Sequence, residues 1–182
     1  MSVDFINWAL SLKIIALQAI TAVLVVVFFF REREIFKTCA HYVGRWGLWI
    51  GCVVSLGASL TTLYYSEVLG FTPCVLCWWQ RIFLYPQVFL LGFAAHRKDA
   101  GMAFYSIVLS GLGLLVALYH HALQMGWVVT APCAAEGTVS CAQRLLFEFG
   151  YITYPLMAAS VFLFLIVLML FVRAFPRLAA DF

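Results

Sequence analysis

Residues 72–86 read TPCVLCWWQRIFLYP, with Cys74 and Cys77 three apart between Pro73 and Arg81, at the mouth of a long apolar run. A cysteine pair ordinarily belongs to a soluble redox domain, a zinc site or a secreted disulfide fold. The rest of the chain decides why this one opens a membrane segment. Of its 182 residues, 65% are hydrophobic and 10% charged, and the mean hydropathy is +1.02. A soluble domain of this size cannot hide so much apolar surface, so the class is all-α integral membrane protein. A crossing takes about 20 apolar residues. Breaking the chain at its charges leaves five candidates, roughly 14–30, 46–66, 74–95, 100–123 and 151–172. Internal proline and glycine do not disqualify them, because membrane helices tolerate both. There is no internal repeat, low-complexity tract, nucleotide-binding glycine loop or linker to a second domain.

Charge predicts the orientation. Arg31, Arg33, Lys37 and Arg45 precede the second candidate, Arg97 and Lys98 follow the third, and Arg173 and Arg177 follow the fifth. If spans two to five cross alternately, these residues share one side, which the positive-inside rule makes cytoplasmic. The C-terminus is then cytoplasmic, and the net charge of +3 reports topology with no call for nucleic acid. Lys13 and Gln18 interrupt the first candidate. It is expected to span with its N-terminus outside, a helix lying on the membrane being the alternative. A cleaved signal is not expected, because its basic cluster follows the apolar run and no small-residue cleavage site succeeds VVVFFF.

Topology sorts the six cysteines. Cys39 falls in a cytoplasmic loop and Cys52 inside the second span, a surface thiol and a small buried side chain respectively. Cys74 and Cys77 begin the third span, and Cys133 and Cys141 lie in the outer loop between the fourth and fifth. Disulfides persist outside and are rare inside, so these four are the candidates for redox cycling.

In the quoted stretch, Thr72 is expected as N-cap and Pro73 as the first helical residue. Cys74 and Cys77 would then share the first turn, where the helix dipole favours the reactive thiolate. Arg81 is one turn beyond Cys77 on the same face. A cation that deep in a membrane segment is a functional candidate by default, the alternative being a side chain that snorkels to the headgroups. In the outer loop, Pro132 presents Cys133 on an open turn. Ser140 and Gln143 have capping-box spacing, which predicts a short amphipathic helix over 141–149. Two activated pairs on one side point to relayed thiol–disulfide exchange. The electrons then need an acceptor, and a lipid-soluble aromatic one fits. It could lie among Trp78, Trp79, Phe83 and Tyr119, with Arg81 and one histidine polarising its oxygens. His120 and His121 are adjacent, so about 100° of helix separates them and at most one is expected to face the bundle interior.

These residues resemble the DsbB family of quinone-linked disulfide-forming membrane proteins, and especially its short-loop BdbC-like branch. The resemblance runs from about residue 46 to 172 and rests on SEVLGFTPCVLCWWQRIFLYP, the histidine and glutamine of YHHALQ, APC…SC and FGYITYP. It implies a four-helix transmembrane bundle, here with an additional N-terminal hydrophobic helix. The implied division is 1–45 for that helix and a basic cytoplasmic loop, 46–173 for the redox bundle and 174–182 for a cytoplasmic tail. The implied activity is reoxidation of a soluble thioredoxin-fold, DsbA-like partner, with electrons passed to ubiquinone or menaquinone at the bacterial cytoplasmic membrane. By this resemblance Cys133 is attacked by the partner, Cys141 completes its pair, and Cys74–Cys77 is the quinone-coupled pair with Cys77 next to the quinone. Arg81, Trp78 and His120 are the expected cofactor contacts, with His121 close behind His120. The outer loop is shorter than in the DsbB branch, and residues 1–45 lie outside the shared core.

Three other readings compete. A vitamin K epoxide reductase-like protein would run the chemistry toward reduction of the quinone-like substrate. A zinc protein could use four thiolates, yet seven residues separate Cys133 from Cys141, against the usual two to four. A purely structural bundle leaves Arg81 unexplained.

Overall fold

The computed structural model describes residues 3–128, 140–144 and 146–175. Helix α1 spans Val3–Phe29, α2 Glu34–Leu63, α3 Val75–Arg97, α4 Ala103–Met125 and α5 Tyr154–Ala174. A π-helical turn, Tyr64–Val68, extends α2, and a 3-10 turn, Ala100–Met102, leads into α4. Four stretches are long and apolar enough to cross a membrane: Phe5–Phe29, Glu34–Val68, Ala100–Met125 and Tyr154–Ala174. The first candidate thus begins well before residue 14, with Lys13 exposed and Gln18 hydrogen bonded at 2.8 Å to Ser160 of α5. Helix α3 has 23 residues, enough for about 35 Å at the α-helical rise. It falls outside that apolar set because it carries Gln80, Arg81 and Gln87, all of which it buries.

Helix α5 is the central post. It packs on α1, α2 and α4, and Phe162, Leu165, Leu168, Met169, Phe171 and Val172 are almost fully enclosed. Lipid tails are as apolar as leucine, so membrane helices associate through close packing and small residues. Gly44, Gly47, Gly51, Ser55 and Ser59 form the buried stripe of α2. A Cβ at Gly47 would stand 2.5 Å from Val172 Cγ2, and one at Gly113 of α4 would overlap the Phe162 ring. Polar joints add register. Gln87 of α3 donates to Ser110 Oγ of α4 at 3.0 Å and accepts from Ser106 Oγ at 2.6 Å.

Two sequence expectations about local structure are corrected. Thr72 and Pro73 do not begin α3. Cys74 is its N-cap, with extended backbone at ψ 173, so Cys77 sits at the third helical position. The helix over 141–149 does not form. Ser140 does cap a single turn, its hydroxyl accepting from the Ala142 amide at 3.3 Å. The carbonyls a helix would use are taken from outside, however: His120 meets that of Cys141 and Gln124 donates to that of Gln143. Farther on, Phe149 and Gly150 take positive φ of 52° and 76°, and Glu148 bridges to Ile152. Leu146 is buried, while Phe147 and Phe149 are exposed. The predicted Pro132–Cys133 turn lies outside the described residues.

Candidate functional site

At one end of the bundle, residues of all five helices line a cavity of about 160 Å³. Cys74, Cys77, Arg81, His120 and Cys141 all line it. The 74–81 stretch, His120 and Cys141 are far apart in sequence, and packing brings them together. Cys74 and Cys77 are free thiols with their sulfurs 3.2 Å apart. Cys141 is disulfide-bonded and buried; Cys133, its expected partner, lies outside the described residues.

His120 sits at the junction and is 1% exposed. Its Nε2 is 3.8 Å from Cys74 Sγ and 3.1 Å from the carbonyl oxygen of Cys141. Its Nδ1 is 3.1 Å from the amide nitrogen of Gln80. With that amide donating to Nδ1, the neutral ring carries its proton on Nε2, facing the sulfur and the loop carbonyl. One turn on, Gln124 donates to the Gln143 carbonyl at 3.0 Å, and Arg144 Nε donates to the Gln124 carbonyl. The loop is thus stitched to α4 directly above the thiol pair.

Arg81 does not snorkel, being only 8% exposed. Its Nη2 donates to the Thr62 carbonyl at 2.9 Å, just before α2 loosens into its π-turn. Such turns recur at functional sites. On its other side the guanidinium lies 5.1 Å over the Trp78 ring. Trp78 itself is 53% exposed and is not part of the cavity wall. It braces Arg81 from outside. Trp79 stacks on Phe83 toward the exterior, and Tyr119 packs beside Cys74 and Leu123.

Both histidines are buried, against the expectation that only one could be. Helix α4 lies between α3 and α5, so two of its faces are covered. His120 faces the thiols, whereas His121 Nδ1 is 2.8 Å from Thr153 Oγ1, the N-cap of α5. Cys39 is exposed, and Cys52 donates weakly to the Val88 carbonyl at 3.5 Å. Neither lines the cavity.

Sequence reasoning passed over Gln80 and Tyr65 and used Gln124 and Tyr154 only as parts of the family signature, without a role; all four line the cavity. A glutamine in an apolar run is itself a signal in a membrane protein. Tyr65 carried none, because interfacial tyrosine is ordinary. The side-chain oxygen of Gln124 and the hydroxyl of Tyr154 are buried without hydrogen-bond partners. Buried polar atoms normally find partners, so this pair on the cavity wall is free to meet a water or a ligand.

Two free thiols 3.2 Å apart inside an apolar bundle, with disulfide-bonded Cys141 on the same cavity, are an arrangement suited to membrane thiol–disulfide chemistry. The sequence model of "Disulfide bond formation protein DsbB" matches residues 44–172. A relative from Bacillus cereus, "Probable disulfide formation protein C", is 45% identical over 101 residues, 56% of this chain and 73% of the relative. "SPbeta prophage-derived disulfide bond formation protein B" of Bacillus subtilis is 41% identical over 109 residues, 60% of this chain and 73% of its own length. "Disulfide bond formation protein C", also of Bacillus subtilis, is 36% identical over 124 residues, 67% and 88% of the two chains. No solved structure matches. The chain belongs to the DsbB family of disulfide bond formation proteins, and it is a membrane disulfide-forming oxidoreductase.

Proposed function

We propose that this protein reoxidises a soluble thioredoxin-fold dithiol and passes the electrons through its two cysteine pairs to a membrane quinone. The observation that carries this reading is the convergence of Cys74, Cys77, Arg81, His120 and Cys141 on one cavity. The cavity suits a flat aromatic dione: Leu84 and Phe162 offer apolar walls, Arg81 and His120 offer donors, and Gln124 and Tyr154 hold unpartnered polar atoms. The redox cysteines face the extracytoplasmic side and the C-terminus the cytoplasm, as the basic residues around α2, α3 and α5 argue.

The steps balance as two-electron exchanges. A partner thiolate attacks the Cys133 sulfur, the Cys133–Cys141 bond breaks, and Cys141 leaves as a thiolate. The partner's second thiol resolves the mixed disulfide, leaving the partner oxidised and Cys133 and Cys141 reduced. The Cys141 thiolate then attacks Cys74 in the Cys74–Cys77 disulfide, and Cys77 leaves as a thiolate. Cys133 resolves that bond, so the outer disulfide reforms and the inner pair is reduced. His120 Nε2 faces both Cys74 and the Cys141 backbone, where it can hand over and take back the proton on the Cys74 sulfur. The Arg81 guanidinium steadies the Cys77 thiolate and any negative charge that develops on ligand oxygen, an effect that is large in a low-dielectric site. Quinone supplies the two-electron sink, becoming quinol with two protons as Cys74 and Cys77 close to a disulfide.

The test is stoichiometric. Purified protein, a reduced thioredoxin-fold dithiol and a soluble benzoquinone should yield one quinol per partner disulfide. Partner oxidation that proceeds equally without quinone would refute the assignment. A second reading has one supporting observation: the donor atoms of Cys74, Cys77 and His120 lie within 4.8 Å of one another, a set that could hold a metal ion. Thiolate and imidazole suit zinc. Stoichiometric zinc in the purified protein, with Cys74 and Cys77 recovered as thiols rather than as a bridge, would favour it.

A further inference from the structure

The matched family segment begins at residue 44, which leaves α1 outside it. Yet α1 supplies Leu10 and Ile14 to the cavity wall. Its buried side is a stripe at three- and four-residue spacing that includes Asn7, Ser11, Ile14, Thr21, Leu24 and Val27. One of its positions near the cavity end, Asn7, is specific rather than merely apolar. Asn7 Oδ1 accepts from the Tyr65 hydroxyl at 2.6 Å, with both residues buried. Tyr65 is a wall of the cavity, and its ring stands edge-on to that of Tyr154 at 4.7 Å. In a medium without competing water, such a bond holds its partners firmly in place. Asn7, Leu10 and Ile14 lie on one side of α1, so the latch and the apolar wall act on the same cavity.

We propose that α1 completes the acceptor site: Leu10 and Ile14 seat the apolar substituent of a lipid-soluble quinone, and Asn7 fixes the Tyr65 wall beside it. Arg81 and His120 come from α3 and α4 and mark the polar end. The apolar part therefore lies against α1. This inference rests on the proposed acceptor chemistry and names the residues that select among acceptors by size. Asn7 is a positioning residue acting through Tyr65, and Leu10 and Ile14 are specificity determinants.

The test uses the full-length protein in detergent and two probes, an untailed and a decyl-tailed benzoquinone. Dissociation constants come from quenching of the native tryptophan fluorescence, alongside kcat and KM. Ile14→Phe, which narrows the wall, should weaken the decyl-tailed probe about tenfold and the untailed one less than threefold, in the range one added or missing group gives in an apolar pocket. Ile14→Ala, which cannot overpack, should also lower the preference for the tailed probe. Asn7→Ala and Tyr65→Phe should each weaken binding by about two- to tenfold, the range of a net hydrogen bond, and the double variant should lose no more than either single one. Wild-type affinities retained for both probes in all variants would overturn the role of α1 while leaving the acceptor reading intact. Equal losses for both probes, tracking a lower Tm, would reduce α1 to scaffolding and also overturn it. A wild-type protein that binds neither probe would overturn the acceptor reading and this inference with it.

Discussion

His120 Nε2 lies 3.8 Å from Cys74 Sγ, which couples a histidine of α4 to the first sulfur of α3. The same nitrogen meets the Cys141 carbonyl, so the ring touches both cysteine pairs at once. In the proposed relay, a histidine placed there can serve the exchange between the pairs.

Replacing His120 with Asn should therefore slow electron transfer from the outer pair to Cys74–Cys77 by about 10²-fold or more, the usual contribution of a positioned acid–base group. The quinone KM should change far less. Single-turnover quenching with alkylation, which resolves the two disulfides separately, checks this. Gln80→Leu, which removes the group holding Nδ1, should give a smaller loss with a displaced pH–rate profile.

Arg81→Gln should cost about 10²–10³ in kcat, the typical effect of losing one preorganised donor to developing charge. Arg81→Lys should recover only part of this, because lysine lacks the planar fork that reaches both the Thr62 carbonyl and the Trp78 face. Steady-state kinetics with varied quinone measures both. Full recovery by lysine would refute a role beyond charge.

Cys39 and Cys52 should be dispensable. One is exposed and the other makes only a weak bond to Val88, and neither reaches the cavity. The double variant Cys39→Ser, Cys52→Ala should keep quinone-dependent turnover within about twofold, as expected for substitutions away from the site. A folded but inactive double variant would contradict the assignment of chemistry to the outer pairs.

Incubated with a reduced thioredoxin-fold partner that lacks its second cysteine, the protein should accumulate a mixed disulfide between that partner and Cys133, because Cys141 leaves as a thiolate and no partner thiol remains to resolve the bond. Non-reducing gels with mass spectrometry identify the linked residue. A partner linked instead to Cys77 would reverse the proposed order of transfer.

Gly113→Leu should destabilise the bundle by about 1–3 kcal/mol or more, the cost of overpacking a close-packed interface, because its side chain meets the Phe162 ring. The same change at Gly111, with open space around its Cβ position, should be nearly neutral. Thermal unfolding in detergent compares the two variants.

The sequence alone determined what depends on composition and local spacing. Apolar run lengths gave the membrane class and the number of helices, and the cysteine spacing pointed to thiol–disulfide chemistry. A charge or thiol in an apolar run is conspicuous wherever the helix turns. Tertiary structure decided what each helix faces. In a bilayer the lipid-facing and protein-facing sides are equally apolar, so hydropathy does not mark α5 as the central post or α1 as a cavity wall. It likewise cannot tell that His120 turns to the thiols and His121 to Thr153. The 141–149 segment had the local pattern of a helix, but its carbonyls bond to His120 and Gln124 instead. Those partners are distant in sequence, and only packing brings them within reach.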